Sequence, residues 1–180
     1  MMVVAAMVAR AQTAAPVKHV NIPKIAPRAE DVGSIDGMMK AYYEVISGPA
    51  GQARQWGRDH TLYIPGMHFV AMSVDKNGKP QAEVVDHQQY VDRTDPQVVS
   101  KGFYEREIHR TTHRFGNIAH VFSTYESRHA PGEKPFARGI NSMQLAKTGQ
   151  SWKMISILWD TEREGNPMPE RYLTAAPQTP

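Results

Sequence analysis

Apolar positions along the first third of the chain keep helical time. Ile35, Met38, Met39, Tyr42, Val45 and Ile46 recur at three- and four-residue spacing, which predicts a helix with one buried face. Ser34 or Asp31 is placed to cap its start, and Gly48-Pro49 ends it. Residues 51–56 suit a short second helix before Gly57. Leu62-Tyr63-Ile64 reads as a strand ending at Pro65-Gly66, and Phe69 to Val74 as another before the Asn77-Gly78 turn; the two are expected to form a hairpin arm. Asp86-x-x-Gln89 has the spacing of a capping box and opens a third helix through Tyr90 and Val91. Asp95-Pro96 is expected to interrupt that helix, with Pro96 at the first position of a renewed turn.

From Phe103 the period changes from helical to alternating. Residues 103–115, 117–129, 136–147 and 152–161 are rich in β-branched and aromatic side chains, and Gly116-Asn117, Ala130-Pro131-Gly132 and Thr148-Gly149 separate them. Long strands joined by short turns predict an antiparallel meander. Helices followed by such a sheet make a two-layer α+β domain. Strict alternation puts Glu105, Glu107, His109, Thr111 and His113 on one face, beside Val121, Ser123, Tyr125, Asn141, Met143, Leu145, Met154, Ser156 and Leu158. One end of that face is apolar and the other polar, as a pocket with a greasy floor and a polar mouth would need. The opposite face would carry Arg106, Ile108, Arg110, Arg114, His120, Phe122, Thr124, Ile140 and Trp159, a mixture suited to a subunit contact. A bulge in any strand would exchange the two faces beyond it.

The 180 residues suit one domain with a real core. The absence of cysteine excludes a disulfide scaffold, a Cys₂His₂ zinc site and a cysteine nucleophile. A net charge of +3 comes from 21 basic and 18 acidic residues that are interleaved along the chain, so nucleic acid is not an expected partner. No apolar run approaches the ~20 residues of a membrane span. Val3 to Val8 followed by Ala9-Arg10-Ala11 fits an export signal cut near Ala11-Gln12, although the run is short and no basic residue precedes it. The expected organisation is a signal-like or disordered lead-in over 1–29, the domain over 30–164, and an irregular tail over 165–180 with a turn at Pro169 to Leu173.

The segments FYEREIHRTTHRF (103–115), GNIAHVFSTYESR (116–128), FARGINSMQL (136–145) and SWKMISILWDTE (151–162) resemble the nuclear transport factor 2-like superfamily, and within it an uncharacterised bacterial group related to SnoaL-like proteins. The resemblance runs from about Asp31 to Leu173. It implies a cone-shaped roll: three N-terminal helices packed on a strongly curved mixed sheet, an elongated cavity between them, and a homodimer. The superfamily spans isomerases, dehydratases, cyclases, hydrolases and binding modules, so the fold does not fix the activity. In ketosteroid isomerases a base Asp stands directly before a Pro in the early strand; here that position is Ile64, so no carboxylate carries over, while Tyr42 or Tyr43 could match the isomerase tyrosine. Scytalone-dehydratase-like members use a Tyr, an Asp and two His, for which Tyr43, His87 and His109 lie on comparable elements.

Glu107 is the foremost candidate for catalysis. A carboxylate beside a tyrosine on the cavity face gains basicity from desolvation and can act as general acid or base; the competing expectation is an ion pair with an arginine such as Arg138. His109 could exchange a proton near neutral pH, or simply bond to Ser123. Tyr43, Ser123, Tyr125 and Asn141 are candidate ligand-binding groups, which could equally satisfy one another. His109 and His113 would stand about 13 Å apart on a strand, at ~3.3 Å per residue, too far to share a metal. His60, His68, His87, His120 and His129 show no ligand spacing, and Asp59-His60 are neighbours whose side chains should diverge. The expected function is therefore binding of a small, largely apolar molecule without metal or cofactor, with proton-transfer catalysis of the isomerase, dehydratase or cyclase kind. The alternative is a non-catalytic binding or dimerisation module.

Overall fold

The computed structural model describes residues 19–173. Four helices, α1 (Ala29–Val32), α2 (Ile35–Ile46), α3 (Trp56–His60) and α4 (His87–Lys101), accompany six strands. These are β1 (Tyr63–Val74), β2 (Pro80–Val85), β3 (Tyr104–Phe115), β4 (Ile118–Arg128), β5 (Ala137–Thr148) and β6 (Ser151–Thr161). The strands form one curved, open sheet in the order β2-β1-β6-β5-β4-β3. Only β1 and β6 run parallel; every other neighbouring pair is antiparallel. This is the α+β roll that the residue pattern and the resemblance imply. Among the described residues no helix is long and apolar enough to cross a membrane. The signal-like segment lies outside the described residues.

Helix α2 is built as its spacing dictates. Ser34 is extended and its Oγ accepts from the Gly37 N–H at 2.9 Å, while Met38, Met39, Ala41, Tyr43, Val45 and Ile46 are buried. Met38, Met39, Ala41 and Tyr43 pack on the inner sheet face with Val121, Met143, Leu145, Met154 and Ile157. Asp86 and Gln89 close both halves of the capping box at the start of α4.

Several expectations are corrected. The second helix begins at Trp56 rather than spanning residues 51–56, and the short α1 precedes α2. Leu62–Ile64 and Phe69–Val74 are not partners: Pro65-Gly66 is an irregularity inside one long β1, whose register against β6 shifts between Tyr63 and His68. The hairpin is β1–β2, closed where Asp75 Oδ1 accepts from the Asn77 and Lys79 N–H groups and Gly78 takes φ +77°. Helix α4 runs through Pro96 without a break. Asp95, expected to cap a renewed turn, instead accepts from Trp56 Nε1 at 2.6 Å.

The largest correction concerns the faces. A bulge in β3 shifts the register between Glu107, opposite Tyr125, and His109, opposite Thr124. Ile108 is the extra residue, so parity reverses beyond it. Arg110 and Arg114 thereby turn inward: Arg110 reaches Asp36 of α2 at 2.8 Å, and the Arg114 guanidinium lies 5.1 Å from the Trp152 ring centre. A second shift places Met154 opposite Leu145 but Ser156 opposite Gln144, with Ile155 extra. Ile157 and Trp159 then face the helices, Trp159 packing edge-on to Tyr90 of α4, while Leu158 points out and is 41% exposed.

Both ends of the described chain lie against the fold. Residues 19–28 form neither helix nor strand, and Val20 and Ile22 pack on a second cluster of Ile46, Trp56, Val91 and Val98. Asp92 holds this strap by accepting from the Val20 N–H at 2.8 Å and meeting His19 Nδ1 at 2.6 Å. The segment after β6 ends in a short 3-10 turn, Glu170–Tyr172, where a turn was expected. Tyr172 packs against Phe122 and His109 on the outer face. Glu126 pairs there with Arg106 and Arg128.

Candidate active site

Four of the expected site residues meet in one hydrogen-bonded row across α2, β3, β4 and β5. Asn141 Nδ2 donates to Tyr43 Oη at 3.3 Å, Tyr43 Oη lies 2.7 Å from Ser123 Oγ, and Ser123 Oγ donates to Glu107 Oε1 at 2.5 Å. Since Ser123 gives its proton to Glu107, it must accept from the Tyr43 hydroxyl, so all three bonds run toward the carboxylate. Burial raises the Glu107 carboxyl above its ordinary value, against the opposing pull of the Ser123 bond and of Arg110. Arg110 Nε stands 3.3 Å from Glu107 Oε2. The ion-pair alternative thus holds, with a different arginine: Arg138 is taken by Glu162 at 2.8 Å.

His109 does not join this row. The Ile108 bulge turns it to the outer face, where it is buried opposite Thr124 and near Tyr172 rather than bonded to Ser123. Tyr125 is on the inner face as expected, but its hydroxyl lies 3.4 Å from Thr161 Oγ1, away from Glu107. Burial pushes the Tyr125 hydroxyl up to about 12. Its place depends on Gly139, where a Cβ would come within 2.6 Å of the Tyr125 hydroxyl oxygen.

Glu105, one full period before Glu107, is the residue the candidate list missed. Among the described residues Ser127 is its side-chain partner, its Oγ donating to Oε2 at 2.9 Å, and desolvation pushes the carboxyl up to about 7. Glu105 borders two spaces. One is a cavity of about 500 Å³ between α2, α4 and the inner sheet, lined among others by Tyr42, Phe69, Tyr90, Tyr125, Asn141 and Trp159. The other is a more open groove of about 740 Å³ at the sheet edge, where Lys40, Arg106, Arg110 and Arg128 face Asp36, Glu44, Glu107 and Glu133. A carboxyl poised near neutrality can both take and return a proton. The neighbouring tyrosines, raised by burial, remain hydroxyl donors. The alternation that selected Glu107 applies equally to Glu105; what singles it out is that no arginine among the described residues pairs with it, which sequence spacing does not reveal.

A second polar cluster had no local signal either. Asp59 on α3 is buried and accepts from Tyr63 Oη at 2.6 Å, while its other oxygen meets His87 Nε2 at 2.7 Å. Tyr43, His87 and His109 therefore sit in three separate places, and the dehydratase-like set is not assembled. Among the described residues no group of three or more His, Asp or Glu could hold a metal ion.

No family model matches the chain, and no curated protein does. Solved structures similar to it include a nuclear transport factor 2-like protein of unknown function from Shewanella baltica, with TM-score 0.48, 14% identity, and coverage of 72% of this chain and 91% of that one. Another, also nuclear transport factor 2-like and of unknown function, is from Methylobacillus flagellatus, with TM-score 0.46, 13% identity, and coverage of 72% and 95%. The architecture itself, helices laid on a curved six-stranded mixed sheet, is the one implied by the resemblance carried by residues 103–162.

Proposed function

We propose that the chain binds a small, largely apolar molecule between α2, α4 and the inner sheet, and that Glu105 transfers a proton on it in a cofactor-independent isomerisation, dehydration or cyclisation. The observation that carries this reading is a carboxyl raised to about 7 at the border of a cavity walled by aromatic rings. Enclosing apolar walls favour the ligand, and a few converging hydroxyls orient it. Phe69, Tyr90 and Trp159 supply the walls; Tyr42, Tyr125 and Asn141 supply the polar contacts. Glu107 and its row then hold the sheet edge in place, since that carboxylate already has a cation.

Native mass spectrometry of the purified protein should show a co-purified small molecule, and Trp159→Ala should lose it. With that compound class as a guide to substrates, Glu105→Gln should abolish turnover while the circular dichroism spectrum stays unchanged. Retained turnover would remove the catalytic role. The non-catalytic alternative rests on the saturated Asn141–Tyr43–Ser123–Glu107 row; it predicts that Glu105→Gln leaves ligand affinity within about twofold. Dimerisation belongs to the same proposal, now through Leu158 and Phe122 on the outer face, because Trp159 is turned inward. Leu158→Glu should halve the sedimenting mass, and an unchanged mass would remove that interface.

A further inference from the structure

At the corner where α3, α4 and β1 meet, two imidazoles converge. His60 Nδ1 and His87 Nδ1 are 3.1 Å apart, with ring centres 5.0 Å apart and planes tilted by 41°. His87 is fixed from behind: its Nε2 donates to the Asp59 carboxylate at 2.7 Å, and its ring packs against Tyr63 and Phe69. Asp59 is fixed in turn by the Tyr63 hydroxyl at 2.6 Å. With Nε2 committed to a carboxylate, a neutral His87 must present the Nδ1 lone pair. That is the arrangement in which histidine ligates metals, the carboxylate setting the tautomer and strengthening the donor.

From this geometry we propose that His60 and His87 bind a divalent transition-metal ion through their two Nδ1 atoms, with Asp59 orienting His87. At metal–nitrogen distances of about 2.0–2.1 Å, a tetrahedral angle separates the two nitrogens by about 3.3–3.4 Å. The rings need to part by only a few tenths of an ångström. His60 is exposed and free to make that shift. It moves its proton from Nδ1 to Nε2 as the metal takes the Nδ1 lone pair, so no net proton is lost. Imidazole donors suit Zn²⁺, Ni²⁺ and Cu²⁺, and the solvent side of His60 leaves the remaining positions to water or an anion. The charges of Lys24 and Lys153 act on His60; they weaken the site relative to a closed four-ligand centre and favour an anion as the third ligand. Phe69 lines the proposed ligand cavity and also packs on His87, so the ion would lie beyond that wall rather than inside the cavity.

Titration calorimetry of the untagged full chain with Zn²⁺ tests this. One ion per chain is expected. His60→Ala and His87→Ala should each weaken binding at least tenfold, Asp59→Asn by about 10–100-fold, and His68→Ala should leave it unchanged. Cu²⁺ electron paramagnetic resonance should show coupling to two imidazole nitrogens in the parent protein and one in His60→Ala. Asp59→Asn could disturb folding through Tyr63, but His60→Ala changes an exposed residue and keeps the test decisive. Zn²⁺ affinity unchanged in His60→Ala, equal losses in His60→Ala and His68→Ala, or no saturable binding would each overturn the proposal and leave the pair as hydrogen-bonded imidazoles.

Discussion

The inner sheet face has two ends that obey different rules. Toward the β4–β5–β6 middle, Val121, Met143, Leu145, Met154 and Ile157 are at most 1% exposed and belong to one apolar cluster. Toward the start of β3, the same face carries Glu105, Glu107, Asn141 and Tyr125 beside open space, with Ser123 buried among them. One end resists change because every atom has a neighbour. The other keeps polar groups in partial burial, a stability cost that hydrogen bonds only partly offset. Shape comes from the first end; the proposed proton chemistry comes from the second.

The strongest way to break this contrast is to remove the residue that ends one rule and starts the other. Deleting Ile108 restores strict alternation, which would swing Arg110 and Arg114 outward and His109 inward. The expected result is loss of folded soluble protein; a folded deletion variant with an unchanged hydrogen-exchange pattern would show that the bulge is dispensable. Next in size is the packed end: Met143→Ala should cost about 2–5 kcal/mol in urea unfolding.

The polar end should respond to pH in the opposite sense from a salt-bridged acid. A carboxyl raised from 4.5 to about 7 is penalised only when ionised. The penalty is absent below the unfolded value, grows as pH rises from that value to the folded one, and is complete above it. At about 1.4 kcal/mol per unit, the full effect is roughly 3 kcal/mol. Glu105→Gln should therefore match the parent at pH 4 and exceed it in stability at pH 8; equal stability at both would refute the raised carboxyl. Asp31 should do the reverse. The guanidinium of Arg58, 2.7 Å away, holds it below the ordinary value despite burial, so its contribution is lost as pH falls through the folded value, and Asp31→Asn should flatten the acid limb of the stability profile. Least of all, Arg106→Ala should change stability by no more than about 1 kcal/mol, since that guanidinium is exposed and Arg128 still pairs with Glu126.

The sheet was legible because its punctuation is local. Gly116-Asn117 and Thr148-Gly149 bracket alternating runs, and the observed strands start and stop within a residue or two of the expected ones. Ser34 and Asp86 announced their helices for the same reason. Ile108 and Ile155 gave no warning: a β-branched residue fits an unbroken strand as well as a bulge, and only the partner strand records the extra residue. Parity then failed for His109, Arg110 and Trp159 together. Glu107, Ser123 and Asn141 survived because they lie before the β3 bulge or on strands without one, and Tyr43 because helical spacing set its face. Asp59 and His87 are joined only by the packing of α3 on α4, which no spacing encodes.

The strap at His19–Ile22 sets a boundary for anyone handling this chain. Its valine and isoleucine shield Trp56 and Val91, and Asp92 clasps it to α4. Cuts upstream of His19 spare that clasp, whereas trimming to Ala29, where the first helix begins, would bare a greasy notch and invite clumping.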